Sequence, residues 1–208
     1  MRDHWWWRPG WRLGRSFYTW HITFEGQPSA HRLAADYTGV LTGLSTLDPV
    51  PTRWLHLTMQ GIGFTDEVPL DDVDGIVRAA RAHCAQFAPF TVTLGPAELD
   101  PEALTLPVHP VQPVAHLRDT LRDAIADMWG RGGVPEHAEG FRPHVSLAYS
   151  NATGPADGLV QRLAAHPASA AEILVDRVSL IDLNRDHRAY TWTDVATAHL
   201  GFGYNLNR

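Results

Sequence analysis

The 208-residue sequence contains no lysine: its 17 basic residues are all arginines, set against 23 Asp+Glu for a formal net charge of −6. No segment gathers them into the basic stripe with which a protein grips long nucleic acid. Any phosphate ligand is therefore expected to be a small nucleotide, or an RNA met only at its end, with no extended nucleic-acid surface. Cysteine is nearly absent too. Cys84 stands alone, so no intrachain disulfide can form, in keeping with a reducing cytosol. Its setting in RAARAHCAQF reads as packed helix core. No apolar run approaches a membrane span, and MRDHWWWRPG lacks the apolar stretch of a signal peptide. A cytoplasmic monomer without membrane contact is the expectation. Also missing are H-E-x-x-H, C-x-x-C, the P-loop pattern and G-x-S-x-G. Glu136, His137 and Glu139 in PEHAEG imitate a metal site but lie in a Gly/Pro-rich loop without a further spaced ligand. Neither a metal nor a cofactor is expected.

What is present is the composition of a globular protein, 44% apolar and 19% charged, long enough for one large domain or two small lobes. Residues 1–15 read as a separate arm with four tryptophans, Trp5, Trp6, Trp7 and Trp11. Such an arm can lie over an apolar patch or offer a stacking surface to a nucleobase. Residues 16–208 read as a single two-lobed domain. FYTWHITFE is a strand by its aromatic and β-branched content. A helix opens at Gln27-Pro28-Ser29 and carries Leu33, Tyr37, Val40, Leu41 and Leu44 at helical spacing. RWLHLTMQGIGF is a strand, 69–87 a helix, FTVTLGP a strand, and EALTLPVHPV a strand whose prolines suggest a sheet edge. A helix follows from Pro113, Gly130 to Gly133 suggest a mobile loop, and FRPHVSLAYS is a strand. A helix over 155–166 and two closing strands, AEILVDRVSLIDL and AYTWTDVATAHL, complete the chain.

Three places repeat one local pattern, a histidine followed two residues later by a hydroxyl: His21-Ile22-Thr23, His56-Leu57-Thr58 and His144-Val145-Ser146. His56 and His144 are 88 positions apart (144 − 56), and the same shift brings His21 onto His109 and Thr91 in FTVTL onto Ser179 in RVSLI. Each half then reads strand, helix, motif strand, helix, strand, which suggests a duplicated architecture with pseudo-two-fold symmetry. His56 and His144 occupy equivalent places in this frame. His21 does not, because His109 is followed by Pro-Val rather than by x-Thr.

Side chains i and i+2 of a strand share a face. Leu55, Leu57 and Met59 then point inward while His56, Thr58 and Gln60 point outward; Val145, Leu147 and Tyr149 point inward while His144 and Ser146 point outward. Two such strands across a groove surround a space with two imidazoles and two hydroxyls. A phosphodiester suits that cage: the hydroxyls donate to non-bridging oxygens, one imidazole takes a proton from water, and the other protonates the leaving oxygen. Arg142 shares the face of His144 and Ser146 and can reach a phosphate. His21 has the parity to line the groove wall or to face solvent or packing. Tyr190 and Trp192 alternate on one face, as packing or as a base-stacking platform.

With LHLTM at 55–59 and HVSL at 144–147, the chain resembles the two-histidine phosphoesterase superfamily, in its bacterial 2′-5′ RNA ligase-like, RNA 2′,3′-cyclic phosphodiesterase branch. The resemblance runs from about residue 16 to 197 and leaves the Trp-rich arm outside the family pattern. It implies an α+β, bilobal, pseudo-two-fold fold, with two antiparallel sheets forming a V-shaped groove and helices outside. It implies cleavage of a cyclic phosphate or a 2′-5′ linkage, with catalytic roles for His56, Thr58, His144 and Ser146, His144 as base and His56 as acid. Arg142, His21, Tyr149 and Trp192 are the candidate substrate contacts. Two other readings use the same cage: a non-catalytic nucleotide sensor, and an enzyme that degrades cyclic oligonucleotide signals.

Overall fold

A computed structural model describes residues 1–201; residues 202–208, the end of the expected domain, lie outside the described residues. The elements run β1 (Phe17–Thr23), α1 (Pro28–Asp36), α2 (Thr38–Leu41), β2 (Leu47–Pro49), β3 (His56–Phe64), α3 (Leu70–Cys84), β4 (Phe90–Leu94) and β5 (Glu98–Asp100). They continue β6 (Ala103–His109), α4 (Val111–Trp129), β7 (His144–Ser150), α5 (Asp157–Ala165), β8 (Ala171–Val175), β9 (Arg177–Asn184) and β10 (Thr191–His199). One sheet has the order β10-β9-β1-β3; the other has the order β2-β7-β6-β4-β8, with β5 paired to β6. All pairings are antiparallel. The two sheets approach each other along β3 and β7, the strands that carry the histidine motifs.

Helix periodicity explains how the sheets are covered. In α3, Val73, Ile76, Val77, Ala80 and Cys84 fall on one buried stripe, while Asp71 and Asp72 in the first turn and Arg81 and His83 in the last complement the helix dipole. In α4 the buried stripe is Val114, Leu117, Leu121, Ala124 and Ile125, and the helix ends at Gly130 with φ 72°. The two helices pack on each other, α3 also on β10 and α4 on β3, whereas α1 packs on β8 of the other sheet. Cys84 is fully buried in this core, and burial pushes its thiol up to about 11.

The duplicated order survives in space. The strand run β9-β1-β3 of one sheet corresponds to β4-β6-β7 of the other under the 88-residue shift. Each half therefore donates its third strand to the other half's sheet: β4 joins β6, and β9 joins β1. That exchange ties the lobes into one unit.

Several local expectations are corrected. The helix expected to run from Pro28 to Leu44 breaks at Tyr37, whose phenol accepts from the Ala97 N–H at 3.0 Å and donates to the Ser169 carbonyl at 3.4 Å. Leu47–Pro49, past the expected helix, forms a short strand against β7. β6 is not an edge strand. Pro107 is accommodated because β7 pairs with Ala103 to Pro107 and β4 only with Val108 and His109, so its missing N–H falls where one ladder hands over to the other. The segment AEILVDRVSLIDL is two strands in different sheets, divided at Asp176. The loop expected at 130–133 contains a 3₁₀ turn, Arg131–Gly133.

Candidate active site

The two motif histidines begin their strands and are held in the same way. The Nδ1–H of His56 donates to the carbonyl of Trp54 at 2.8 Å, and the Nδ1–H of His144 donates to the carbonyl of Arg142 at 2.9 Å. A carbonyl only accepts, so each contact fixes the proton on Nδ1 and leaves Nε2 of the neutral ring as a free base. The pseudo-two-fold thus reaches down to the tautomer. Thr58 and Ser146, two residues further along each strand, share the face of their histidine. All four side chains line one groove of about 470 Å³. A second cavity of about 560 Å³ adjoins it through Thr58, Arg142 and His144, whereas His56 faces the first groove alone.

The environments of the two imidazoles differ. His56 is 7% exposed and its pKa is lowered to about 4, chiefly by burial, with the Trp54 carbonyl opposing the shift and the nearby His144 adding to it. His144 stands at the exposed mouth. His21 is buried against His56, their rings stacked at 4.6 Å and 4° from parallel. Its Nε2 lies 3.3 Å from the Thr58 hydroxyl, and burial followed by the His56 charge pushes its pKa well below the usual range. His21 therefore forms a buried part of the groove wall rather than facing solvent.

Two β-bulges alter the parity expected from an uninterrupted strand. In β3, Trp20 pairs with Gln60 and His21 with Thr58, so Met59 is an extra residue. Gln60 consequently lies on the face of Trp20, where its amide donates to the Pro135 carbonyl at 2.8 Å and accepts from Arg122 at 2.9 Å. In β7, Ser146 pairs with Thr105 and Ala148 with Leu104, leaving Leu147 extra. This turns Tyr149, expected to point inward, into the groove beside Ser146. Burial first, then Tyr190, raise its pKa.

The remaining candidates occupy distinct places. Arg142 sits at the rim, 86% of its side chain exposed and 3.7 Å from Asp100. Trp192 does not line the groove; it stands edge-on behind His56 at 5.5 Å and His21 at 6.1 Å, braced by Trp54 at 4.6 Å. Tyr190 lines the groove in its stead. Among the described residues no group of three or more His, Cys, Asp or Glu is placed to hold a metal ion, and Glu136 pairs with Arg118 at 3.4 Å.

The residues that sequence reasoning missed come from the arm, the β5–β6 turn and the end of β9. His4, Arg8, Glu102 and Arg185 all line the groove. His4 stacks on Tyr149 at 4.2 Å, bonds the Tyr190 hydroxyl through Nε2 at 2.9 Å and lies 3.2 Å from Glu102 through Nδ1. Burial first, then Arg8 and Arg185, lower its pKa to about 3. The arm is pinned by the Arg2 N–H to the Pro101 carbonyl, the His4 N–H to the Ser150 carbonyl and the Trp5 indole to Asp48. Its later part does cover an apolar patch: Trp11 packs on Phe17 at 5.9 Å and on Phe64 at 5.3 Å. The run of tryptophans signalled a packed arm; nothing in it singled out His4.

Two antiparallel sheets joined by strand exchange, with a histidine and a hydroxyl from each on one groove, define a paired-lobe phosphoesterase-type fold. A family profile, the 2′-5′ RNA ligase superfamily, matches residues 27–187, and the chain belongs to that superfamily. Membership sets it among phosphoesterase- and ligase-type enzymes. The solved structures agree on the fold. TT0787 of Thermus thermophilus superposes with a TM-score of 0.65 at 20% identity, covering 91% of this chain and 99% of that one. E. coli LigT complexed with phosphate gives a TM-score of 0.64 at 15% identity, covering 90% and 98%. The same protein complexed with 3′-AMP gives 0.63 at 17% identity, covering 89% and 98%. No curated protein sequence is significantly similar to this chain. Among the described residues no helix is long and apolar enough to cross a membrane.

Proposed function

We propose that the groove hydrolyses a nucleoside 2′,3′-cyclic phosphate, or a 2′-5′ linkage between nucleotides, by acid–base catalysis from His56 and His144. The observation that carries this reading is the mirrored tether: both Nδ1 protons are committed to backbone carbonyls, and both Nε2 atoms remain available on one groove. The phosphate lies in the groove that His56, Thr58, His144 and Ser146 line together. Thr58 and Ser146 donate to its non-bridging oxygens. Nε2 of His144 takes a proton from water as the water oxygen bonds to phosphorus. The bond from phosphorus to the departing ribose oxygen breaks, and that oxygen receives the proton held on Nε2 of His56. One proton is taken and one returned, leaving a phosphomonoester and an alcohol. The imidazoles then exchange protons with solvent to reset.

Burial favours the neutral form of His56. A phosphate anion beside it favours the charged ring, so substrate and proton enter together. No metal takes part in this scheme. The E. coli relative complexed with phosphate and with 3′-AMP supports a small nucleotide ligand. We place the activity on a cytoplasmic monomer, in a two-lobed domain preceded by an arm at residues 1–15.

The test is turnover of 2′,3′-cyclic nucleotides and 2′-5′ dinucleotides by purified protein in EDTA. His56→Ala and His144→Ala should each lower kcat by about 10²–10⁴-fold while the fold persists. Undiminished activity in either variant would falsify the mechanism.

A further inference from the structure

Besides Arg142 at its rim, the groove is lined by two further arginines that this reaction does not use. Arg185, immediately after β9, is only 4% exposed. Its Nη2 donates to the His4 carbonyl at 3.1 Å, while its Nη1 is buried with no hydrogen-bond partner among the described residues. Arg8 of the arm lines the same groove. Its Nη2 reaches Glu102 at 3.1 Å, and its Nε is likewise buried and unpartnered. Buried donors are almost always paired, so two guanidinium groups with free N–H bonds in one hollow mark a place for acceptors that the chain itself does not supply. The planar fork of a guanidinium matches phosphate oxygens two at a time.

The charge balance agrees. Arg8 and Arg185 repel one another, and the nearby carboxylate, Glu102, is shared with Arg2, Arg8 and His4. Arg185 is nevertheless held firmly, its guanidinium 5.7 Å from the Trp5 ring, 5.7 Å from Trp11 and 5.8 Å from Tyr190. Tyr190 also lies 5.8 Å from the His56 ring, so the guanidinium and that imidazole are separated by at most twice this distance. A single nucleotide, with phosphates on opposite sides of its ribose, is the natural ligand to bridge such a gap.

We propose that Arg8 and Arg185 form a second phosphate subsite at the arm end of the groove. It takes the 5′-phosphoryl group of the nucleoside whose 2′,3′-phosphate lies between His56 and His144. The proposal rests on the reading that the groove holds a nucleotide phosphate, and it narrows the substrate to nucleotides that carry a second one. Arg8 lies before the segment that the family profile matches, residues 27–187.

The 5′-phosphoryl group can come from a free nucleotide or from the linkage to a preceding residue at an RNA end. Calorimetric titration at one ionic strength with adenosine 3′-phosphate, adenosine 3′,5′-bisphosphate and the dinucleotide ApAp separates these. The bisphosphate should bind about tenfold or more tightly than the monophosphate, as expected of a charge-assisted contact. A gain by the bisphosphate alone identifies a free nucleotide, and a matching gain by ApAp identifies an RNA end; either supports the subsite. In Arg8→Gln the advantage should fall below about threefold, since one of the two charge-assisted donors is gone. Arg8 is half-exposed, so this variant tests the idea even if the buried Arg185→Gln fails to fold. Equal affinities in the wild type, or an advantage unchanged in Arg8→Gln, overturns the subsite. A bisphosphate preference without cyclic-phosphate turnover supports the subsite and overturns hydrolysis alone.

Discussion

The rings of His21 and His56 lie face to face at 4.6 Å, and His21 Nε2 sits 3.3 Å from the hydroxyl of Thr58. His21 thus touches both members of the first motif without reaching the groove's centre. Two stacked, buried imidazoles cannot readily be charged together, and His21, wholly enclosed, is the one kept neutral. Its part is to position the His56 ring and orient the Thr58 hydroxyl. His21→Phe keeps the stack and deletes the hydrogen bond. We expect kcat to fall by about 2–10-fold, the worth of one neutral hydrogen bond, with KM little changed. A loss as large as that of His56→Ala, in steady-state kinetics on a cyclic nucleotide, would show that His21 does more than position.

Stability should depend on pH through the same buried rings. The folded-state values of His4, about 3, and His56, about 4, lie below the ordinary 6.5, and His21 is also well below it. The unfolded chain therefore binds more protons than the folded one between these values. Stability is fully present above about pH 6.5 and is lost as pH falls toward the folded-state values. By pH 5 His4 and His56 should each have forfeited roughly 2 kcal/mol, at 1.36 kcal/mol per pKa unit. Urea midpoints should drop steeply from pH 7 to pH 5, above the range where most carboxylates titrate, and His56→Gln should flatten the slope. A midpoint constant across that window would contradict the burial of these rings as neutral groups.

The motif strands were legible because a period of two is enforced by the pleat, and Leu55, Leu57 and Met59 are indeed buried opposite His56. The duplicated order was legible because both halves repeat the same sequence of elements at one offset. The bulges at Met59 and Leu147 were not. A bulge inserts a residue without any change in the hydrophobic pattern, so Gln60 and Tyr149 were given the wrong faces. The passage of the chain between sheets at Asp176 was hidden by continuous strand-like composition. His4 and Arg185 were invisible for a different reason: they meet the groove only through the folded path of the arm and the end of β9.

Because His56 and His144 serve one proton-transfer event on one phosphate, their losses should not add. The double variant His56→Ala/His144→Ala should retain nearly the activity of the weaker single variant, the residue coming from Thr58, Ser146 and binding alone. Thr58→Val and Ser146→Ala remove donors rather than proton carriers and should each cost about tenfold in kcat. If the double variant instead shows the product of the two single losses, the imidazoles act in separate steps, and the concerted transfer is wrong.

An anion entering the groove should bring a proton with it. Burial lowers His56 to about 4 and so favours its neutral form, whereas a negative charge at Nε2 favours the imidazolium. Sulfate is the suitable probe, since unlike phosphate it does not titrate near neutrality. Its affinity should strengthen as pH falls from 7.5 to 5.5, approaching tenfold per pH unit for each proton taken up. Calorimetry in two buffers of different ionisation enthalpy measures that uptake directly. In His56→Gln the uptake should fall by close to one proton. Sulfate binding that is independent of pH, or an uptake untouched by His56→Gln, would remove His56 as the proton carrier that faces the phosphate.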